Sequence, residues 1–137
     1  MITKDTATRS TGNNAASLRG RRARIALWVV QIALAVVFLF SGGSKLAGAP
    51  AMVALFGAIG WVQWFRYLTG AIEAGSAIAL LIPSAAVFGA ILLIPTMLGA
   101  ILTNLILGQT PVPPLVLLIV ASTIAWARRH ELSAVVR

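Results

Sequence analysis

The acidic residue Glu73 is the residue of this sequence best placed to do chemistry. It is the only carboxylate between Asp5 and Glu131, and it lies inside the apolar stretch from Trp61 to Pro83. A carboxylate on a membrane helix costs roughly a few kcal/mol or more unless it is paired, protonated or hydrated. Two interpretations are open: Glu73 is a functional carboxylate, or it belongs to a buried ion pair that only fixes the register of two helices.

Three other side chains could share a site with Glu73. Arg66 precedes it by two helical turns on the same face, about 10 Å along the axis, so its long side chain could reach part of the way. Lys45 closes the first apolar stretch and could pair with the carboxylate or simply extend to the membrane surface. Asn104 is predicted to form an interhelical hydrogen bond rather than to act as a catalyst. We therefore predict a polar site of Lys45, Arg66, Glu73 and Asn104.

The apolar stretches that carry these residues predict an all-α membrane protein. The chain of 137 residues is 59% hydrophobic and only 10% charged, which leaves too little polar surface for a soluble domain of this size. A short apolar segment over 49–60 predicts an interfacial helix between helices 1 and 2, followed by aromatic residues suited to the headgroup region. We predict four transmembrane helices in an antiparallel bundle, at about 25–46, 62–82, 85–107 and 115–127.

The ends of the chain differ in composition from its middle. Residues 1–24 are polar and basic and predict a disordered cytoplasmic tail; 25–129 form the membrane domain, and 130–137 a second cytoplasmic tail. A cleaved secretory signal is the competing interpretation of the first segment. Most of the 11 basic residues flank the apolar region at its two ends, so both termini are expected in the cytoplasm of a multi-pass cell-membrane protein. The predicted site then falls in the outer half of the membrane.

Charge and residue types also restrict the partners and cofactors. Because the positive residues adjoin apolar segments, the net charge of +8 predicts contacts with anionic lipids and not with nucleic acid. The chain has no cysteine and a single histidine, His130, so no thiolate metal site and no bis-histidine haem is expected. Four glycines are predicted to let helices approach closely: Gly42, Gly43, Gly70 and Gly75.

Two short motifs resemble the DoxX-like family of small four-helix membrane proteins. They are Phe40-Ser41-Gly42-Gly43-Ser44-Lys45-Leu46 at the end of helix 1, and Gly70-Ala71-Ile72-Glu73-Ala74-Gly75 in helix 2. The resemblance covers about 26–129, and the family's Gly-x-x-Lys-Leu and glutamate patterns fall on Gly42, Lys45, Leu46 and Glu73. It implies similarity to subunits of membrane thiosulfate:quinone oxidoreductases, to partners of redox complexes, and to maturation factors.

These observations suggest an accessory subunit of a membrane oxidoreductase or stress-response complex. Glu73 would provide a quinone-proximal or proton-accepting site, and a protein partner would supply the electrons, because the chain itself is expected to bind no redox cofactor other than quinone. The chain is not expected to be an enzyme on its own. The alternatives are a non-catalytic assembly factor or structural subunit, and a small proton-coupled transporter. The transporter is disfavoured because the second half of the chain has no charge that matches Glu73.

Overall fold

A computed structural model describes residues 2–60 and 63–135, and every regular element in that part of the chain is an α-helix. The predicted all-α class is therefore confirmed. Two helices, α1 and α4, contain segments long and apolar enough to cross a membrane, and α5 is a shorter apolar helix. The helices are α1 (Ile2–Ala47), α2 (Pro50–Ala58), α3 (Gln63–Leu80), α4 (Ala86–Ile106), α5 (Val112–Ala127) and α6 (Arg129–Val135).

The N-terminal segment differs from the expectation of disorder, because α1 begins at Ile2 and not near Ile25. Once a helix is nucleated, each further residue adds one hydrogen bond, so an apolar helix can extend into a polar segment that would not nucleate alone. The chain divides into two compact units, with the boundary inside α1. The first, up to Val30, is the N-terminal part of α1, and the second, from Gln31 onward, holds the other elements.

Within the second unit, α1 and α3 run in opposite directions. The Gln31 side-chain amide donates a hydrogen bond to the carbonyl of Leu80, while Lys45, at the other end of α1, contacts Glu73. α3 buries one face, made of Arg66, Gly70, Glu73, Ser76, Ala77 and Leu80. Arg66 and Glu73 therefore share one face of α3, as their spacing predicted.

The longest apolar helix after α1 is α4, which packs against both α3 and α5. Its buried side includes Ala90, Leu93 and Met97, which meet a core that also contains Ile124 of α5. Pro95 lies inside α4, and the chain stays helical around it. These contacts place α4 opposite the buried face of α3.

At the end of α5 the chain continues as the short helix α6, which covers most of the predicted C-terminal tail. Arg128 donates hydrogen bonds to Gln31 at 2.8 Å and to Glu131 of α6 at 2.6 Å. Because Gln31 is fully buried and also bonds to the end of α3, this network ties α1, α3 and α5 together. Glu131 gives α6 an acidic residue in its first turn, which favours a helix start.

Candidate functional site

The centre of the site is an ion pair between α1 and α3. Lys45 Nζ lies 3.0 Å from Oε1 and 2.8 Å from Oε2 of Glu73, and its side chain is 12% exposed against 3% for Glu73. The hydroxyl of Ser41 donates to Glu73 Oε2 at 2.8 Å, and Lys45 Nζ donates to that hydroxyl at 2.8 Å. The predicted contact of Glu73 with Lys45 is therefore present, and each charge is paired and hydrogen-bonded, as burial requires.

Two glycines bring the backbones of α1 and α3 close enough for this ion pair. A Cβ atom added at Gly42 would lie 2.8 Å from the Ala74 amide nitrogen and 2.8 Å from the Gly70 carbonyl oxygen. At Gly70 an added Cβ would lie 2.9 Å from Cβ of Lys45. Any side chain at Gly42 would push the helices apart, and with them Lys45 and Glu73.

Arg66, which was predicted to share the site, has other partners than Glu73. Its guanidinium donates instead to the backbone carbonyl of Lys45 and to the side-chain oxygen of Gln63, and it stacks 4.3 Å from the centre of the Tyr67 ring. The reason is geometric: Glu73 lies two turns away, whereas the C-terminal carbonyls of α1, which carry the negative end of the helix dipole, lie beside Arg66. Arg66 therefore holds Lys45 through its backbone.

The last turn of α1 lies beside that guanidinium and ends in a glycine cap. Gly48 has a φ of 72°, and the amides of Gly48 and Ala49 bond back to Lys45 at 3.4 Å and Ser44 at 3.0 Å, the pattern of a Schellman cap. A Cβ at Gly48 would lie 3.6 Å from a guanidinium nitrogen of Arg66. That distance is an ordinary contact, so Gly48 is needed for its left-handed backbone and not for the space that it leaves.

The ion pair lies in the wall of a cavity of about 410 Å³. Helices α1 to α4 all contribute to the wall, most of which is aliphatic or aromatic. The polar members are Lys45, Thr69, Glu73, Thr96, Thr103 and Asn104. Of the predicted site residues, Lys45, Glu73 and Asn104 line this cavity together, and Arg66 lies behind Lys45.

Helix α2 and the aromatic residue Phe65 close one side of the cavity. Leu55, Phe56 and Ile59 face it, and Phe56 is 6% exposed because its ring packs 6.4 Å from that of Phe65. The predicted short helix between the first two long helices is thus present, while its place at the membrane surface stays a prediction. Trp61, one of the predicted interfacial aromatics, lies outside the described residues.

Asn104 does not bridge two helices as predicted. Its side-chain amide donates to the carbonyl of Thr110 at 2.8 Å, across the loop that follows α4. The chain turns back at Gly108, which has a φ of 67°. This turn brings the carbonyl of Thr110 within reach of Asn104. Asn104 therefore fastens this loop at the cavity wall.

The four predicted packing glycines divide into two classes. Gly42 and Gly70 lie at the α1–α3 contact, whereas a Cβ at Gly43 or Gly75 would meet no atom within 4 Å among the described residues. Gly89, which the sequence reasoning did not single out, packs tightly, since an added Cβ would lie 2.6 Å from the carbonyl oxygen of Ser76. Helical spacing from Ala86, Ala90 and Leu93 could have placed Gly89 on the buried face of α4.

Ser41 was also missed as a site residue. It precedes Lys45 by four positions and so shares its helix face, which is the signal that could have identified it. Within the described residues no group of three or more His, Cys, Asp or Glu side chains could hold a metal ion. The arrangement offers a paired ammonium and carboxylate beside an apolar cavity, and so suits hydrogen bonding and proton exchange with an amphipathic molecule.

Comparison with known proteins identifies the family. The model of the DoxX-like family matches residues 29–127, which is more than half of the chain and includes the ion pair and both glycines of the α1–α3 contact. Neither the curated proteins nor the solved structures give a significant match. The resemblance carried by the motifs at Gly42–Leu46 and Gly70–Gly75 is confirmed: the chain belongs to the DoxX-like family, and this membership and its apolar helices point to a membrane protein.

Proposed function

We propose that this protein is an accessory subunit of a membrane oxidoreductase complex, with the Lys45–Glu73 pair as a quinone-proximal, proton-accepting site. In this proposal α1, α3, α4 and α5 each cross the membrane, α2 lies along the outer surface, and both termini are cytoplasmic. α3 is less apolar than α4 and α5 because it carries Arg66 and Glu73. Its crossing is supported by the pairing of Glu73 with Lys45 and by the hydrogen bonds of Arg66 to backbone and side-chain oxygens.

The single observation that carries the proposal is the placement of the buried ion pair in the cavity wall. A volume of about 410 Å³ falls within the range of small-molecule sites, which are typically apolar with a few polar groups that fix orientation. A charged pair used only to set helix register has no need to line a cavity. The site therefore favours a ligand with an apolar body and a small hydrogen-bonding head.

The chain's own groups suggest how such a head is bound. Lys45 Nζ can turn one of its N–H donors from Ser41 to an oxygen of the ligand while it keeps its contact with Glu73. A quinone, when bound, would supply coupled electron and proton chemistry, with the electrons delivered by a partner protein. Reduction of a quinone consumes protons as well as electrons; Glu73 could take up a proton from water at Oε1, while Ser41 continues to donate to Oε2, and pass it to a quinone oxygen. Arg66 fixes the backbone from which Lys45 projects.

One observation favours a second candidate, a structural subunit or assembly factor. Gly43 and Gly75 are exposed and have open space around them among the described residues, although glycines on membrane helices commonly mark close helix contacts. Phe40, one turn from Gly43, is 79% exposed. These positions suit contact with a helix of another protein.

The two candidates are separated by isolating the intact complex from cells that produce the full chain with an affinity tag. A flavoprotein or extractable quinone that copurifies, and that is lost from the Glu73→Gln variant, supports the redox proposal. The structural candidate is supported by a copurifying protein that is still being assembled. Its yield should fall with Gly43→Leu and Gly75→Leu but not with Glu73→Gln. Absence of any flavoprotein or quinone from the wild-type complex counts against the redox proposal.

A further inference from the structure

Four arginines form a ring around α1 just before its apolar part begins. They are Arg19, Arg21, Arg22 and Arg24, and Ile25 starts the uncharged run that continues to Ser44. Successive residues of an α-helix are turned by about 100°, so these four positions point to four different sides of the helix. All four side chains are exposed. We call this group the arginine collar.

Among the described side chains of its own unit, at 7–30, the collar has no partner of opposite charge. Within the described residues the carboxylates of the ion pairs are Glu73 and Glu131, and both lie in the second unit. The nearest acidic residue along the chain is Asp5, about 21 Å from Arg19 at 1.5 Å per residue. Four exposed positive charges within six residues therefore favour binding of an anionic ligand from outside the chain.

The length of the apolar run determines where the collar lies. The 20 residues from Ile25 to Ser44 match the hydrocarbon thickness of a bilayer, about 30 Å. Arg19 and Arg24 are about 7.5 Å apart along the axis, close to the thickness of one headgroup layer. The collar thus coincides with the depth at which lipid phosphates lie.

The collar lies at the depth of lipid phosphates, points to several sides of α1 and is positively charged. We therefore propose that the arginine collar binds the headgroups of anionic phospholipids on the side of the membrane that the N-terminus faces. All four residues are arginine, whose planar guanidinium matches phosphate oxygens in a two-point contact. A nucleic acid is a poorer occupant, because the collar adjoins the apolar run and a polyanion would have to enter the headgroup layer. The collar lies outside the family match, which begins at residue 29, so it is a property of this chain independent of the proposed redox site.

The test uses the full chain reconstituted in phosphatidylcholine vesicles, with spin-labelled phosphatidylglycerol or phosphatidylcholine as the probe lipid. Wild type is expected to prefer phosphatidylglycerol by about twofold or more, and added salt should lower this preference. Arg21→Gln with Arg22→Gln should remove half or more of the preference, whereas Arg21→Lys with Arg22→Lys should retain most of it. The matched control, Lys4→Gln with Arg9→Gln, removes the same charge about 24 Å or more from Ile25, beyond the Debye length, and should behave as wild type.

Two results would overturn the proposal. One is an equal association of both probe lipids with wild type. The other is an equal loss of preference in the collar variant and the matched control, which would indicate a general effect of net charge. Under the first result, binding of a short RNA to the detergent-solubilised chain through Arg21 and Arg22 would identify the collar as a nucleic-acid site instead. Thermal unfolding in detergent should be the same for all variants, because the substitutions lie outside the packed second unit.

Discussion

At the scale of single residues, the site depends on how the negative charge of Glu73 is compensated. Its two oxygens accept from Lys45 and Ser41, so the ionised carboxylate is matched by a full charge and a hydroxyl. Replacement of one member of a buried pair leaves the other charge unmatched, which typically costs about 3–5 kcal/mol, whereas replacement of both by apolar residues can be close to neutral. This difference makes the pair testable by paired substitutions.

We expect Glu73→Gln to lower the free energy of unfolding by about 3 kcal/mol, because Lys45 stays buried without its carboxylate. Lys45→Met should cost a similar amount, and the double variant Lys45→Met with Glu73→Leu should recover much of the loss. Unfolding of the purified chain in mixed detergent measures all three. Wild-type stability of both single variants would show that Glu73 is held as a neutral group, contrary to the geometry.

The sequence predicted the members of this pair better than their surroundings. Glu73 and Lys45 could be predicted because an isolated carboxylate in an apolar helix needs a partner, and Lys45 is one of few candidates. The true partner of Arg66 could not be predicted, because it depends on how α1 ends at Gly48 and on which carbonyl lies at that end. Asn104 was misassigned for a similar reason, because a turn at Gly108 brings the acceptor to it.

At the scale of helices, the close contact of α1 and α3 depends on glycines, which place no side chain between the two backbones. Gly42→Ala would place a methyl group 2.8 Å from backbone atoms of α3, and backbone cannot yield as a side-chain end can. We expect a loss of about 2 kcal/mol or more, together with a weaker Lys45–Glu73 contact. The matched control is Gly43→Ala, where nothing is close and the loss of chain entropy on folding becomes smaller, so stability should stay equal or rise by up to about 1 kcal/mol.

Detergent unfolding of these two neighbouring variants separates close packing from a general glycine effect. Equal stability of Gly42→Ala and Gly43→Ala would contradict the close approach of α1 and α3. The sequence could predict that glycines in this motif matter, but not which of two adjacent glycines faces α3. That distinction depends on the rotation of α1, which the long-range contacts of Gln31 and Lys45 fix.

Helix existence was easier to predict than helix extent. The central helices begin and end within about three residues of their expected limits, because apolar periodicity and prolines mark them. Residues 2–24 are helical against the expectation of disorder, since extension from a neighbouring helix depends on cooperativity and not on local composition.

At the scale of the whole molecule, the proposed four-helix topology predicts that both termini are cytoplasmic. Reporter fusions at the C-terminus should be active only in the cytoplasm, and fusions within the loop from Gly108 to Pro114 only outside it. The reason is the concentration of basic residues in the N-terminal part of α1, before Ile25, and after α5, because basic residues are retained on the cytoplasmic side. A reporter at the C-terminus that is active outside the cytoplasm would exclude four crossings.

The central claim, that the cavity beside Lys45 and Glu73 binds a quinone-like molecule, needs a variant that fills the cavity and leaves the ion pair intact. Gly99 lines the cavity, and an added Cβ there meets nothing within 4 Å. Gly75 offers the matched control, because it too has open space around it and does not line the cavity. Both substitutions to leucine should fold, so a difference between them reports on the cavity alone.

The most direct measurement is saturable binding of a decyl-substituted benzoquinone to the purified full chain, compared among wild type, Gly99→Leu and Gly75→Leu. The proposal predicts saturable binding to wild type and to Gly75→Leu, and an affinity lower by about tenfold or more for Gly99→Leu, equivalent to about 1.4 kcal/mol. Equal affinity of the two leucine variants, or no saturable binding to wild type, would contradict it.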